Sequence, residues 1–96
     1  MRSMFHNCIS LTSLNLSNFN TLMVDNMDSM FENCYNLISV NFSQIDISNV
    51  VNMSYMFASC HSLTSIDLKD LNTDSVIYIN HFLYDCINIT GIQFIF

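Results

Sequence analysis

Four cysteines, Cys8, Cys34, Cys60 and Cys86, recur every 26 residues. Thiols can hold zinc, attack a substrate or close disulfides, and each use demands particular neighbours. Zinc needs paired or interleaved ligands. The chain has no C-x-x-C pair, and His6, His61 and His81 fall at different places in the spacing. A disulfide needs Cα atoms within roughly 7 Å, whereas helices carrying these cysteines would pack about 8–10 Å apart. The reading is therefore four free thiols stacked as small apolar side chains. Other reactive types are no better placed. No serine sits in a G-x-S-x-G elbow, no acid–base pair stands out among Asp and Glu, and a single glycine rules out a phosphate loop. The chain reads as a non-enzyme with no catalytic, cofactor or metal site.

The same spacing organises everything else. Met4-Phe5, Met30-Phe31, Met56-Phe57 and Phe82-Leu83 fall in register, as do Leu11, Leu37, Leu63 and Ile89. A period kept without insertion means one supersecondary unit stacked on copies of itself. Within the unit from Val24 to Asn49, the apolar residues Val24, Met27, Met30, Phe31 and Cys34 recur at three- and four-residue steps. That step is the signature of one helical face and predicts a helix of about two to three turns over Asp25–Asn33. Asp25 and Asp28 suit its N-terminus, where the helix dipole favours negative charge. The period then drops to two in Leu11–Leu16, in Val40 and Phe42, and in Leu63–Leu68, which predicts a short strand per unit. Phe19, Ile45 and Leu71 are expected to turn inward as the chain crosses back. The expected fold is an α/β solenoid: a leucine-rich-repeat-like stack of 26-residue coils, a parallel sheet on one side and short helices on the other. Residues 1–96 form a single array of roughly three and a half coils. Because Met1 stands where Met27 and Met53 stand, and Gln93-Phe94-Ile95-Phe96 closes just after a strand, the array reads as a fragment of a longer one.

Composition narrows the partners. The chain is 51% hydrophobic and only 10% charged, with no proline, so its turns rest on Asn, Asp and Ser. The net charge is −6, and Arg2 and Lys69 are the only basic side chains besides histidine. Nucleic-acid binding wants a basic patch to neutralise phosphates, so none is expected. No apolar run reaches the length of a membrane helix, which argues against direct insertion, and no signal peptide is visible at Met1–Cys8.

The phrase Met-Phe-x-x-Cys-x-x-Leu-x-x-Leu-x-Leu-Ser-x-Phe-x-Thr, followed by Val-x-x-Met, resembles the BspA-type leucine-rich repeats. It is carried by Met4-Phe5-His6-Asn7-Cys8, by Leu11 to Thr21 and by Val24-Asp25-Asn26-Met27, and it recurs along essentially the whole chain. The resemblance implies a secreted or surface-displayed protein-interaction array, often adhesive, and so an extracellular or cell-surface location. It does not imply a ligand.

If Leu14 and Leu16 face the core, their neighbours project from the open sheet. The candidate ligand face is then Ser13, Asn15 and Ser17, with Ser39, Asn41 and Ser43 and with Ser65, Asp67 and Lys69. Gly91 and Gln93 are the counterparts in the last coil. This polar strip suits hydrogen bonding to a protein or glycan. The alternatives are a solvated face on a structural spacer whose binding lies elsewhere in a longer protein, and sequons at Asn15, Asn41, Asn52 and Asn88 that arise by chance. Open strand edges also invite edge-to-edge self-association.

Overall fold

The computed structural model of the chain describes residues 1–93, and the Phe94-Ile95-Phe96 segment lies outside them. Four strands form, β1 (Ser13–Asn15), β2 (Ser39–Asn41), β3 (Ser65–Asp67) and β4 (Gly91–Gln93). They fall inside the segments where the apolar residues alternate. Pairing is parallel and keeps the sequence period: Ser13 faces Ser39 and Ser65 faces Gly91, each 26 residues on. A second line of contact runs through Asn26, Asn52 and Tyr78 at the same interval. Counting coils from Met1, Met27, Met53 and Ile79, each lies on its neighbour with corresponding residues in register.

The expected class is overturned on two points. No α-helix forms among the described residues, and the strands make two separate two-stranded sheets, β1–β2 and β3–β4, in a molecule of 28 × 24 × 19 Å. The segment predicted as helix, Asp25–Asn33, is a string of tight turns instead. Ser29 and Asn33 have left-handed backbones, with φ of 56° and 62°, and the equivalent residues of every other coil do the same. A right-handed helix cannot run through such residues. Only every other amide closes a turn locally, as in Met30 to Met27, Glu32 to Ser29 and Cys34 to Phe31. The intervening amides donate across to the next coil: Met27 to the Asn52 carbonyl at 2.8 Å, Ser29 to Ser54 at 2.9 Å, Phe31 to Met56 at 2.8 Å and Asn33 to Ala58 at 2.9 Å. The coil before and the coil after repeat this ladder. An L-residue in the left-handed region costs about 1–2 kcal/mol, and inter-coil bonds of this kind offset it.

Packing explains why the apolar spacing looked helical. Successive turns project Met27, Met30, Phe31 and Cys34 inward, and all four are fully buried. Phe5, Phe31 and Phe57 stack face to face at 5.4 and 5.3 Å, with Phe82 closing edge-on against Phe57 at 5.5 Å. Rows of identical side chains at this spacing bury their faces against one another and add an aromatic term beyond area alone. From the strand side come Leu16, Phe42, Ile66 and Leu68, all buried, with Phe19, Ile45 and Leu71 packed against the same core. Thr21 clasps two coils, its hydroxyl donating to the Asp46 carbonyl at 2.8 Å and accepting from the Asp46 amide at 3.0 Å. Among the described residues no buried side-chain polar atom lacks a partner.

Candidate binding face

The cysteines occupy one line through the core. Each of three thiols donates to a phenylalanine carbonyl in the preceding coil: Cys34 to Phe5 at 3.1 Å, Cys60 to Phe31 at 3.1 Å and Cys86 to Phe57 at 3.0 Å. All four are free. Burial pushes the Cys34 thiol up to about 11 and raises Cys60 and Cys86 as well, because a thiolate there would be desolvated. Such thiols are poor nucleophiles and serve as caps on turn carbonyls. The histidines do not converge. His6 faces Glu32 at 3.4 Å, His61 bonds Asp85 at 2.9 Å, and His81 stacks on Tyr55 at 5.0 Å. The His61 bond holds the exposed Asp85 carboxyl below its usual range. Among the described residues, no three His, Cys, Asp or Glu side chains converge as metal ligands.

The nine candidate face residues lie on and just after the strands, where alternation placed them. Ser13, Asn15, Ser39, Asn41, Ser43, Ser65, Asp67 and Lys69 are exposed, and Ser17 is half-buried. Their side chains are not all free for a ligand. Asn15 Oδ1 accepts from the Ser17 amide at 2.9 Å, Asn41 Oδ1 from Ser43 at 2.8 Å and Asp67 Oδ1 from Lys69 at 3.1 Å. These Asx turns end β1, β2 and β3 without glycine, by letting a short side chain stand in for a backbone acceptor. Gly91, the one glycine, faces Ser65 so closely that a Cβ there would lie 3.2 Å from the Ser65 Cβ.

The strip is interrupted between β2 and β3. In the first pair of coils the Leu16 amide reaches the Asn41 carbonyl at 3.0 Å, and no corresponding bond joins Phe42 to Asp67 among the described residues. Upstream, Ile38 bonds Thr12 at 2.8 Å but Thr64 reaches Ile38 only at 3.5 Å. The seam opens into a cleft of about 460 Å³ lined by Asn41, Ser43, Gln44, Asp67, Asp70 and apolar neighbours. Three of the nine candidates, Asn41, Ser43 and Asp67, therefore meet in one concave place. Gln44 and Asp70 were missed. Gln44 carries a left-handed backbone, φ 67°, which its counterparts Asn18 and Asp70 do not share. That Gln breaks an Asn/Asp position was the signal available in the sequence.

A wider depression of about 630 Å³ lies at the strand entrances, lined by Thr12, Asn36, Ile38, Ser62, Thr64, Asn88 and Thr90. Its amides are already committed: Asn36 donates to the Ile9 carbonyl and Asn88 to His61, both at 2.7 Å. The narrower seam keeps more polar groups for a ligand.

Residues 1–92, nearly the whole chain, match the family described as a Mycoplasma protein of unknown function, DUF285. The chain belongs to the DUF285 family. Neither the curated proteins nor the solved structures contain a significant match. In this DUF285 chain the thiols of Cys34, Cys60 and Cys86 cap turn carbonyls, and Asp67 and Asp85 hold a strand-end turn and an exposed pair with His61.

Proposed function

We propose that this DUF285 chain is a non-catalytic interaction module that binds an extended peptide through its strand face, centred on the seam between β2 and β3. The carrying observation is the cleft, where Asn41, Ser43 and Asp67 meet Gln44 and Asp70 beside unpaired strand backbone. Asn41 Nδ2 and the second Asp67 oxygen stay available after their turns are made. Two carboxylates in the cleft and a net charge of −6 favour ligands with basic or amide donors. The resemblance to BspA-type surface repeats supports an adhesive, extracellular or cell-surface setting, and leaves a glycan as the other ligand class.

The test is a random-peptide display library panned on the purified chain, with a glycan array beside it. Enriched peptides should carry Lys or Arg, and should lose at least about tenfold in affinity on Asp67→Asn with Asp70→Asn, roughly 1.4 kcal/mol. Asn41→Asp, which keeps the turn acceptor and removes the donor, should weaken them too. Binders indifferent to all three changes would contradict the proposal. A structural spacer is the second reading, favoured because Asn15, Asn41 and Asp67 each spend an oxygen on their own turn. It predicts that no specific binder emerges from either screen.

A further inference from the structure

Helices packed about 8–10 Å apart would hold neighbouring cysteines out of each other's reach, but turns carry them instead, and the coils lie at strand spacing. Just before Cys34, Phe31 donates to Met56 at 2.8 Å and Asn33 to Ala58 at 2.9 Å. The Phe31 and Phe57 rings, three residues ahead of Cys34 and Cys60, stack at 5.3 Å. Backbones paired in parallel register stand about 4.8 Å apart, so the Cα atoms of Cys34 and Cys60 fall within the roughly 4.4–6.8 Å that a disulfide spans. The Cys60 thiol also leans towards its neighbour. It donates to the Phe31 carbonyl at 3.1 Å, and the same carbonyl accepts the Cys34 amide at 3.1 Å. With the thiol hydrogen gone, that carbonyl keeps its amide donor. The Phe5 carbonyl, capped by the Cys34 thiol, likewise keeps the Cys8 amide at 3.1 Å. Oxidation of the pair therefore orphans neither acceptor.

We propose that Cys34 and Cys60 form a disulfide site, and that under oxidation the bond joins the coil of β2 to the coil of β3. Both residues are fully buried in interior coils. Theirs are also the two coils whose strands do not pair. The bond fastens on the turn side the coils that part at the seam. The oxidant is a small-molecule disulfide such as oxidised glutathione. The thiolate of one cysteine attacks it, forming a mixed disulfide and releasing one glutathione thiolate. The second cysteine then attacks the sulfur of the first, forming the inter-coil bond and releasing the other glutathione thiolate. The two cysteines lose two protons and two electrons, and one glutathione disulfide becomes two thiols. Burial disfavours the thiolate at both positions, so exchange proceeds while the chain folds or the coils part.

Paired variants of the 96-residue chain test it. Cys8→Ala with Cys86→Ala leaves the neighbouring pair, whereas Cys8→Ala with Cys60→Ala leaves Cys34 and Cys86, two coils apart. Each is equilibrated with a glutathione redox buffer, with and without urea, and the oxidised monomer is counted by mass spectrometry. For the neighbouring pair the equilibrium constant for bond formation should be about tenfold or more higher without urea, with circular dichroism unchanged, because a bond that fits the stack is favoured by folding. For the separated pair it should be lower without urea. A neighbouring pair that folding disfavours, or a separated pair that folding favours as strongly, would overturn the proposal. Should a variant unfold, disulfide mapping of wild type carrying a single bond per chain replaces it. Cys34–Cys60 should be found there, and bonds confined to other pairs, or none at all, would overturn the proposal equally.

Discussion

The turn side and the strand side of this molecule obey one repeat yet end up differently connected. Along the turns, amides at every second position bridge to the next coil, from Ser3 through Ser59, at 2.7–3.1 Å without a break. Along the strands, three residues pair per coil and the ladder is interrupted between β2 and β3. The turn side also carries the Phe row and the cysteine line. Cohesion is thus concentrated where the backbone is least regular, and the more regular side is left with an opening. The comparison teaches that a repeat can hold itself together through stacked turns even where its strands leave backbone unpaired.

The largest effect should come from cutting the turn-side core. Phe31→Ala removes the middle ring of the stack and should cost about 3–5 kcal/mol through lost burial and a cavity. Val40→Ala, at a half-buried strand position, should cost clearly less. Equal losses in urea unfolding would erase the distinction between the two sides.

The thiols sharpen it next. Because burial raises Cys34, Cys60 and Cys86, the native state keeps its protons where the unfolded chain, with thiols near about 8.5, has lost them. Stability from this source is fully present below about pH 8.5 and declines as pH rises toward 11. The melting temperature should fall over that window, and replacing all three cysteines with Ala should flatten the decline. A fall of the same size in the triple variant would place its cause elsewhere.

The smallest effect lies at the seam. Gln44 holds a left-handed backbone that costs a non-glycine residue about 1–2 kcal/mol. Gln44→Gly should therefore stabilise modestly, by about 0.5–1 kcal/mol after the entropy glycine adds to the unfolded chain. Destabilisation would mean that the Gln44 side chain, rather than its backbone, matters to the cleft.

Much of this was legible in residue types. The 26-residue register survives in the pairing of Ser13 with Ser39 and of Asn26 with Asn52, and the strands fall where Leu14, Val40 and Ile66 alternate with polar neighbours. The helix was not legible, because steps of three and four residues describe a string of β-turns as well as a helical face. What separates the two is the backbone sign at Ser29 and Asn33 and their counterparts. Asn7, Asn33, Asp85 and His81 are of types that tolerate that sign and hinted at it, whereas Tyr55 adopts it where the next coil's Asn80 carbonyl holds its amide at 2.9 Å. The candidate face was half legible. Alternation found Asn41, Ser43 and Asp67, whereas the seam that gathers them depends on a pairing failure between β2 and β3 that similar repeats conceal.

Native-state hydrogen exchange by NMR tests the central claim most directly, since it reads each amide's partner separately. The account predicts slow exchange at Met27, Ser29, Phe31 and Asn33, with comparable protection at Tyr55, Phe57 and Ser59, and fast exchange at Phe42 beside the open seam. Protection at Phe42 equal to that at Phe31, or a continuous run of protected amides through residues 27–34 with helical chemical shifts, would contradict it.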